Sequence, residues 1–84
     1  MMFKISYSNQ ADKFLKKAEK ITAKRLLEKI EKLQKEPIIH DTKAIEGSKN
    51  LFRVRVGDYR ILYEIDYKEK IIGIVKIDKR ENVY

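Results

Sequence analysis

Guanidinium groups are the residues of this sequence best suited to chemistry. Of its twenty basic side chains only five are arginines, and four of these, Arg53, Arg55, Arg60 and Arg80, lie in the second half. Lysine is a hydrated point charge that suits solvated helix faces, whereas arginine is a planar fork matched to phosphate or carboxylate. The pair Gly57-Asp58 separates two alternating runs, Asn50 to Val56 and Tyr59 to Tyr67, and a Gly-first pair there predicts a two-residue hairpin turn. With that turn, Val56 opposes Tyr59, Arg55 opposes Arg60, Val54 opposes Ile61, Arg53 opposes Leu62 and Phe52 opposes Tyr63. Directly opposed residues share a face. One face is then Phe52, Val54, Val56, Tyr59, Ile61 and Tyr63, and the other carries Arg53, Arg55 and Arg60 together. A one-residue slip would scatter both sets, so the apolar pattern fixes the arginine cluster as well.

Opposing Arg55 to Arg60 costs stability, because like charges directly across a strand pair repel. An anion between them removes that cost, and RNA, which offers phosphates in series, is the natural one. In the last apolar run Ile72, Ile74, Lys76, Asp78 and Arg80 share one parity. If that set faces the arginines, Lys76 and Arg80 extend the basic face and Asp78 pairs with one of them. Tyr84 is placed to stack on a base or contact a phosphate. No cysteine is present, which excludes disulfides, thiolate catalysis and zinc ribbons. The one histidine, His40, falls in a connector and reads as a plain loop residue.

These side chains need a scaffold. Phe3, Ile5 and Tyr7 alternate with polar residues as a short strand, after which Ser8 or Asn9 caps a helix with its apolar stripe on Ala11, Phe14, Leu15, Ala18 and Ile21. Thr22 reads as a second cap. Ala23, Leu26, Leu27, Ile30 and Leu33 continue the spacing to Lys35, where Glu36-Pro37 stops it. Residues 37–50 form a connector in which Ile38, Ile39 and Ile45 can anchor and Gly47 turns. Three strands follow, Asn50 to Val56, Tyr59 to Tyr67 and Lys70 to Ile77. The order βααβββ predicts one α+β domain over residues 1–84, an antiparallel sheet with an N-terminal αα-hairpin packed on one face.

At 84 residues such a domain buries roughly 60–65% of its unfolded surface, so the patterning has to be good. Its formal charge of +7 favours anionic partners, and no apolar run is long enough to span a bilayer. A soluble, cytoplasmic protein is expected.

The segments Ile45-Glu46-Gly47, Leu51-Phe52-Arg53-Val54-Arg55-Val56-Gly57-Asp58-Tyr59-Arg60-Ile61-Leu62-Tyr63-Glu64 and Lys79-Arg80-Glu81-Asn82-Val83-Tyr84 resemble the signature of the RelE/ParE toxin superfamily. More narrowly, the chain is similar to the RelE branch of type II toxin–antitoxin systems, archaeal members included. The resemblance implies a ribosome-dependent endoribonuclease that cuts mRNA in the ribosomal A site without a metal or other cofactor. It also implies an acidic, partly disordered RelB-like antitoxin as partner. By position, Arg53 and Arg55 would contact mRNA and assist the chemistry, and Arg60 would hold the scissile phosphate. Arg80 would stabilise the transition state and leaving group, and Tyr84 would orient the mRNA. Lys76 and Lys79 join the expected RNA-binding set. The best-known bacterial pattern has lysines at the positions of Arg53 and Arg55, one of them a proposed base. Arginine stays protonated and cannot serve. Tyr84, Glu81, Glu64 or a ribosomal group is left for that role. The alternatives are a ParE-like toxin that inhibits DNA gyrase and a catalytically weak RNA-binding homologue.

Overall fold

The computed structural model describes residues 2–79. The chain runs β1 (Lys4–Tyr7), α1 (Asn9–Lys17), α2 (Lys20–Lys35), β2 (Thr42–Ala44), β3 (Leu51–Val56), β4 (Tyr59–Asp66) and β5 (Ile71–Lys79), an α+β domain with one five-stranded sheet in the order β1-β5-β4-β3-β2. Two features depart from the sequence expectation. The sheet is mixed, because β1 lies parallel to β5 while the other pairs are antiparallel. The connector also contributes a strand: β2 pairs with β3, Lys43 standing opposite Arg53. Three residues are too few to show a period, so its pattern was invisible. β1 and β2 occupy opposite edges, and the helical hairpin joining them must therefore cross the whole sheet.

Ser8 caps α1, its Oγ accepting from the Ala11 N–H at 3.1 Å. The expected cap at Thr22 is not used; α2 begins three residues earlier, at Lys20 behind Glu19, whose side chain makes no cap bond. Ile21 then falls in the first turn of α2, off the stripe of Leu26, Ile30 and Leu33, and it is exposed, as is Leu27. The stripe packs on Val54, Val56, Ile61, Tyr63, Ile65, Ile72, Ile74 and Ile77 from the sheet. Phe52 and Tyr63 stack on that face with ring centroids 5.8 Å apart.

A β-bulge resolves the mixed parity of the last strand. Lys76 pairs with Leu62 and Ile74 with Tyr63, so Val75 is an extra residue in β5. Ile72 and Ile74 thus face the core before the bulge, Ile77 faces it after, and Lys76 and Asp78 turn to the opposite side. The start of α1 secures this irregularity. Ser8 Oγ donates to the Val75 carbonyl at 2.7 Å, and the Gln10 amide makes both bonds of a strand to Ile77, donating to its carbonyl at 2.8 Å and accepting from its N–H at 2.9 Å. Gln10 replaces β1 where that strand has ended. Among the described residues no helix is long and apolar enough to cross a membrane.

Candidate functional site

The face of the sheet away from the helices carries the arginines. Arg55 stands directly opposite Arg60, and Arg53 opposite Leu62 on one side and Lys43 on the other. Gly57 has φ +58°, the left-handed conformation that the first position of a Gly-first turn requires. The turn therefore delivers the register that places the cluster. Lys76 and Asp78 arrive on this face through the bulge, opposite Leu62 and Arg60.

The cluster is unevenly neutralised. Asp78 lies between two cations, its Oδ1 4.0 Å from Arg60 Nε and its Oδ2 3.7 Å from Lys76 Nζ. The Arg60 side chain is largely enclosed, 16% exposed, and is thereby held in place. Among the described residues no carboxylate comes within 4.0 Å of the Arg53 or Arg55 guanidinium. Preorganised guanidinium groups of this kind can bind a phosphate and stabilise charge growing on its oxygens.

Beside the cluster is a hollow of about 340 Å³ lined by His40, Asp41, Lys43, Arg53 and Arg55. Its outer wall is the turn from Ile39 to Thr42, closed by the Thr42 N–H (2.9 Å) and hydroxyl (2.7 Å), both donating to the Ile39 carbonyl. Asp41 receives Lys29 Nζ on Oδ2 and stands against His40 Nε2 on Oδ1, each at 3.2 Å. The hydrogen bond from Lys29, helped by the nearby charges of His40, Lys29 and Lys32, holds the Asp41 carboxyl below its ordinary range. His40 lies in the connector, as expected, and on the rim of this hollow. Its spacing in the sequence gave no sign of this, because β2, which carries the connector to β3, is so short.

Lys43 and Arg25 also went unpredicted. Lys43 joins through β2. Arg25 lays its guanidinium over the hairpin turn, so close that a Cβ on Gly57 would fall 2.9 Å from Nη2. Lys79 departs from the expected set: it pairs with Tyr59 and lines an apolar groove under α1 with Phe14 and Ile77, on the helix side of the sheet. Lys79 is thus separated from the arginines by the sheet itself. Glu64 stays on the arginine side, packed over Gly73 and beyond Leu62. Arg80, Glu81 and Tyr84 lie outside the described residues.

Comparison with known proteins agrees with this architecture. Residues 5–84 match the family model described as ParE toxin of type II toxin–antitoxin system, parDE. The toxin candidate RelE1 of Methanocaldococcus jannaschii is 34% identical over 87 residues, covering 100% of this chain and 97% of that protein. The archaeal RelE–RelB complex of Pyrococcus horikoshii OT3 superposes with a TM-score of 0.84 at 33% identity, over 95% of this chain and 97% of that one. An isolated E. coli RelE toxin superposes with a TM-score of 0.82 over 92% of this chain and 83% of that one; at 16% identity it bears on the fold alone. With a family match across nearly its whole length and relatives of this kind, the chain belongs to the RelE/ParE family of type II toxins, as a RelE-like member.

Proposed function

We propose that this toxin is a ribosome-dependent endoribonuclease that cuts mRNA in the ribosomal A site and so stops translation. The observation that carries this reading is the direct opposition of Arg55 and Arg60, with Arg53, Lys43 and Lys76 on the same face. In the reaction the 2′-oxygen attacks its own phosphorus and the P–O5′ bond breaks, leaving a 2′,3′-cyclic phosphate and a 5′-hydroxyl. Negative charge builds on the phosphorane and on the leaving oxygen. Arg60, braced by Asp78, takes the phosphate, and Arg55 and Arg53 hold the adjoining backbone. Together they fix the in-line geometry that free RNA rarely visits. Arg80 and Tyr84 complete the proposed set.

The proposed partner is a RelB-like antitoxin. RelE proteins of P. horikoshii and M. jannaschii have been solved with RelB, and a toxin of net charge +7 suits an acidic segment that folds as it binds. The purified toxin should cut mRNA on programmed ribosomes and leave naked RNA largely intact. A second reading draws on the matching family model, which is named for ParE: inhibition of DNA gyrase by protein contact. Arrested gyrase with intact message on active ribosomes would select it.

A further inference from the structure

The nuclease reading leaves a proton without an acceptor. The 2′-hydroxyl must lose it as the O2′–P bond forms, and no guanidinium can take it. A base for this step needs a lone pair at neutral pH, a fixed orientation and access to the RNA beside the arginines.

Among the described residues His40 supplies the lone pair and the access, and its contact with Asp41 bears on its orientation. His40 rims the hollow that Arg53 and Arg55 also line, and at 91% exposure its ring is open to an incoming strand. It occupies a corner of the Ile39–Thr42 turn, which is closed by two bonds to the Ile39 carbonyl and tethered further in by Tyr63, whose hydroxyl donates to the Pro37 carbonyl at 2.6 Å. Its Nε2 is 3.2 Å from Asp41 Oδ1. With Nε2 turned toward that carboxylate, a neutral imidazole has Nδ1 as its free acceptor. Asp41 is itself secured by Lys29, whose side chain is only 16% exposed on α2. Carboxylate, imidazole and arginines are thus arranged around one hollow.

We infer that His40 is the general base of the cleavage reaction and that Asp41 is the residue that positions it. This rests on the nuclease reading. The 2′-hydroxyl proton passes to His40 Nδ1 as the O2′–P bond forms, the P–O5′ bond breaks, and the leaving 5′-oxygen takes a proton from water. The charged groups around this corner are Asp41 beside His40, Arg25, Glu28, Lys29 and Lys32 from α2, Lys43 from β2, and Arg53 and Arg55 from β3.

The test is single-turnover cleavage of mRNA on programmed ribosomes, from about pH 5.5 to 8, the range in which imidazole titrates. Wild type should speed up with rising pH and then level off. His40→Gln should be slower by about a hundredfold or more and lose that rise. His40→Gly should regain rate when imidazole is added to the buffer. Asp41→Asn should lower kcat about tenfold, a loss of the size expected for a misoriented base, with KM unchanged. Unaltered melting temperatures would show that the variants fold. A His40→Gln toxin that cuts at the wild-type rate with the wild-type pH profile overturns the inference and leaves the nuclease reading standing. A wild-type toxin that cuts nothing overturns both.

Discussion

Arg55 and Arg60 face one another across the β3–β4 pair, one step in from the Gly57-Asp58 turn, with Asp78 beyond Arg60 at 4.0 Å. Two like charges in directly opposed positions are an arrangement that folding alone does not favour. Asp78 relieves one of them, and no carboxylate of the described residues lies within that range of the other.

Replacing one member of this pair should therefore separate stability from activity. Arg55→Gln is expected to raise unfolding stability by about 0.2–1 kcal/mol, the usual size of a cross-strand term. The same change should slow mRNA cleavage by about 10²–10³-fold, as loss of a charge-stabilising donor does elsewhere. Urea denaturation beside a ribosome cleavage assay reads both. A variant that loses stability and activity together would contradict the assignment.

Tyr63 supports the connector from within the core. It is fully buried, and its hydroxyl donates to the Pro37 carbonyl. Tyr63→Phe should cost about 1–2 kcal/mol by leaving that carbonyl unpaired. Burial pushes the Tyr63 hydroxyl up to about 12 from an ordinary 10. The folded state thus holds this proton more tightly than the unfolded one. The contribution is complete below about pH 10 and is lost as pH rises toward 12. Denaturation of wild type and variant should give a stability gap that narrows from pH 8 to pH 11.

Val75 should be open to deletion despite lying in the middle of a strand. Without it every pairing of β4 with β5 is kept, Leu62 with Lys76 and Tyr63 with Ile74 included, so Ile72, Ile74 and Ile77 stay in the core and Lys76 and Asp78 stay outside. Ser8 would lose the carbonyl that its hydroxyl bonds. The deletion should lower stability by about 1 kcal/mol and still unfold cooperatively on heating, and Val75→Thr, which keeps the bulge, should melt within a few degrees of wild type.

What the sequence made legible follows from local rules. Gly57-Asp58 carries its own turn geometry, so all six pairings of β3 with β4 follow from it, and with them the positions of Arg53, Arg55 and Arg60. A cap at Ser8 or Asn9 could be read the same way, and Ser8 is the one used; Lys76 reaches the arginine face only through the bulge, which separates it from Ile72 and Ile74 of the same parity. Long-range relations left no such trace. The parallel pairing of β1 with β5 depends on where the helical hairpin sets down the chain. Val75 as a bulge depends on a partner strand, and β2 on three residues with no pattern. The nearness of His40 to Arg53 and Arg55 left none either, because β2 alone brings the connector to them.

The central claim is that the arginine face grips an mRNA phosphate for cleavage, and end-group mapping of message on programmed ribosomes tests it most directly. Wild type should leave a 2′,3′-cyclic phosphate and a 5′-hydroxyl within the A-site codon. Arg60→Ala should fold, bind antitoxin and leave the message whole. Equal cutting by Arg60→Ala, or an intact message with the wild-type toxin, would contradict the account.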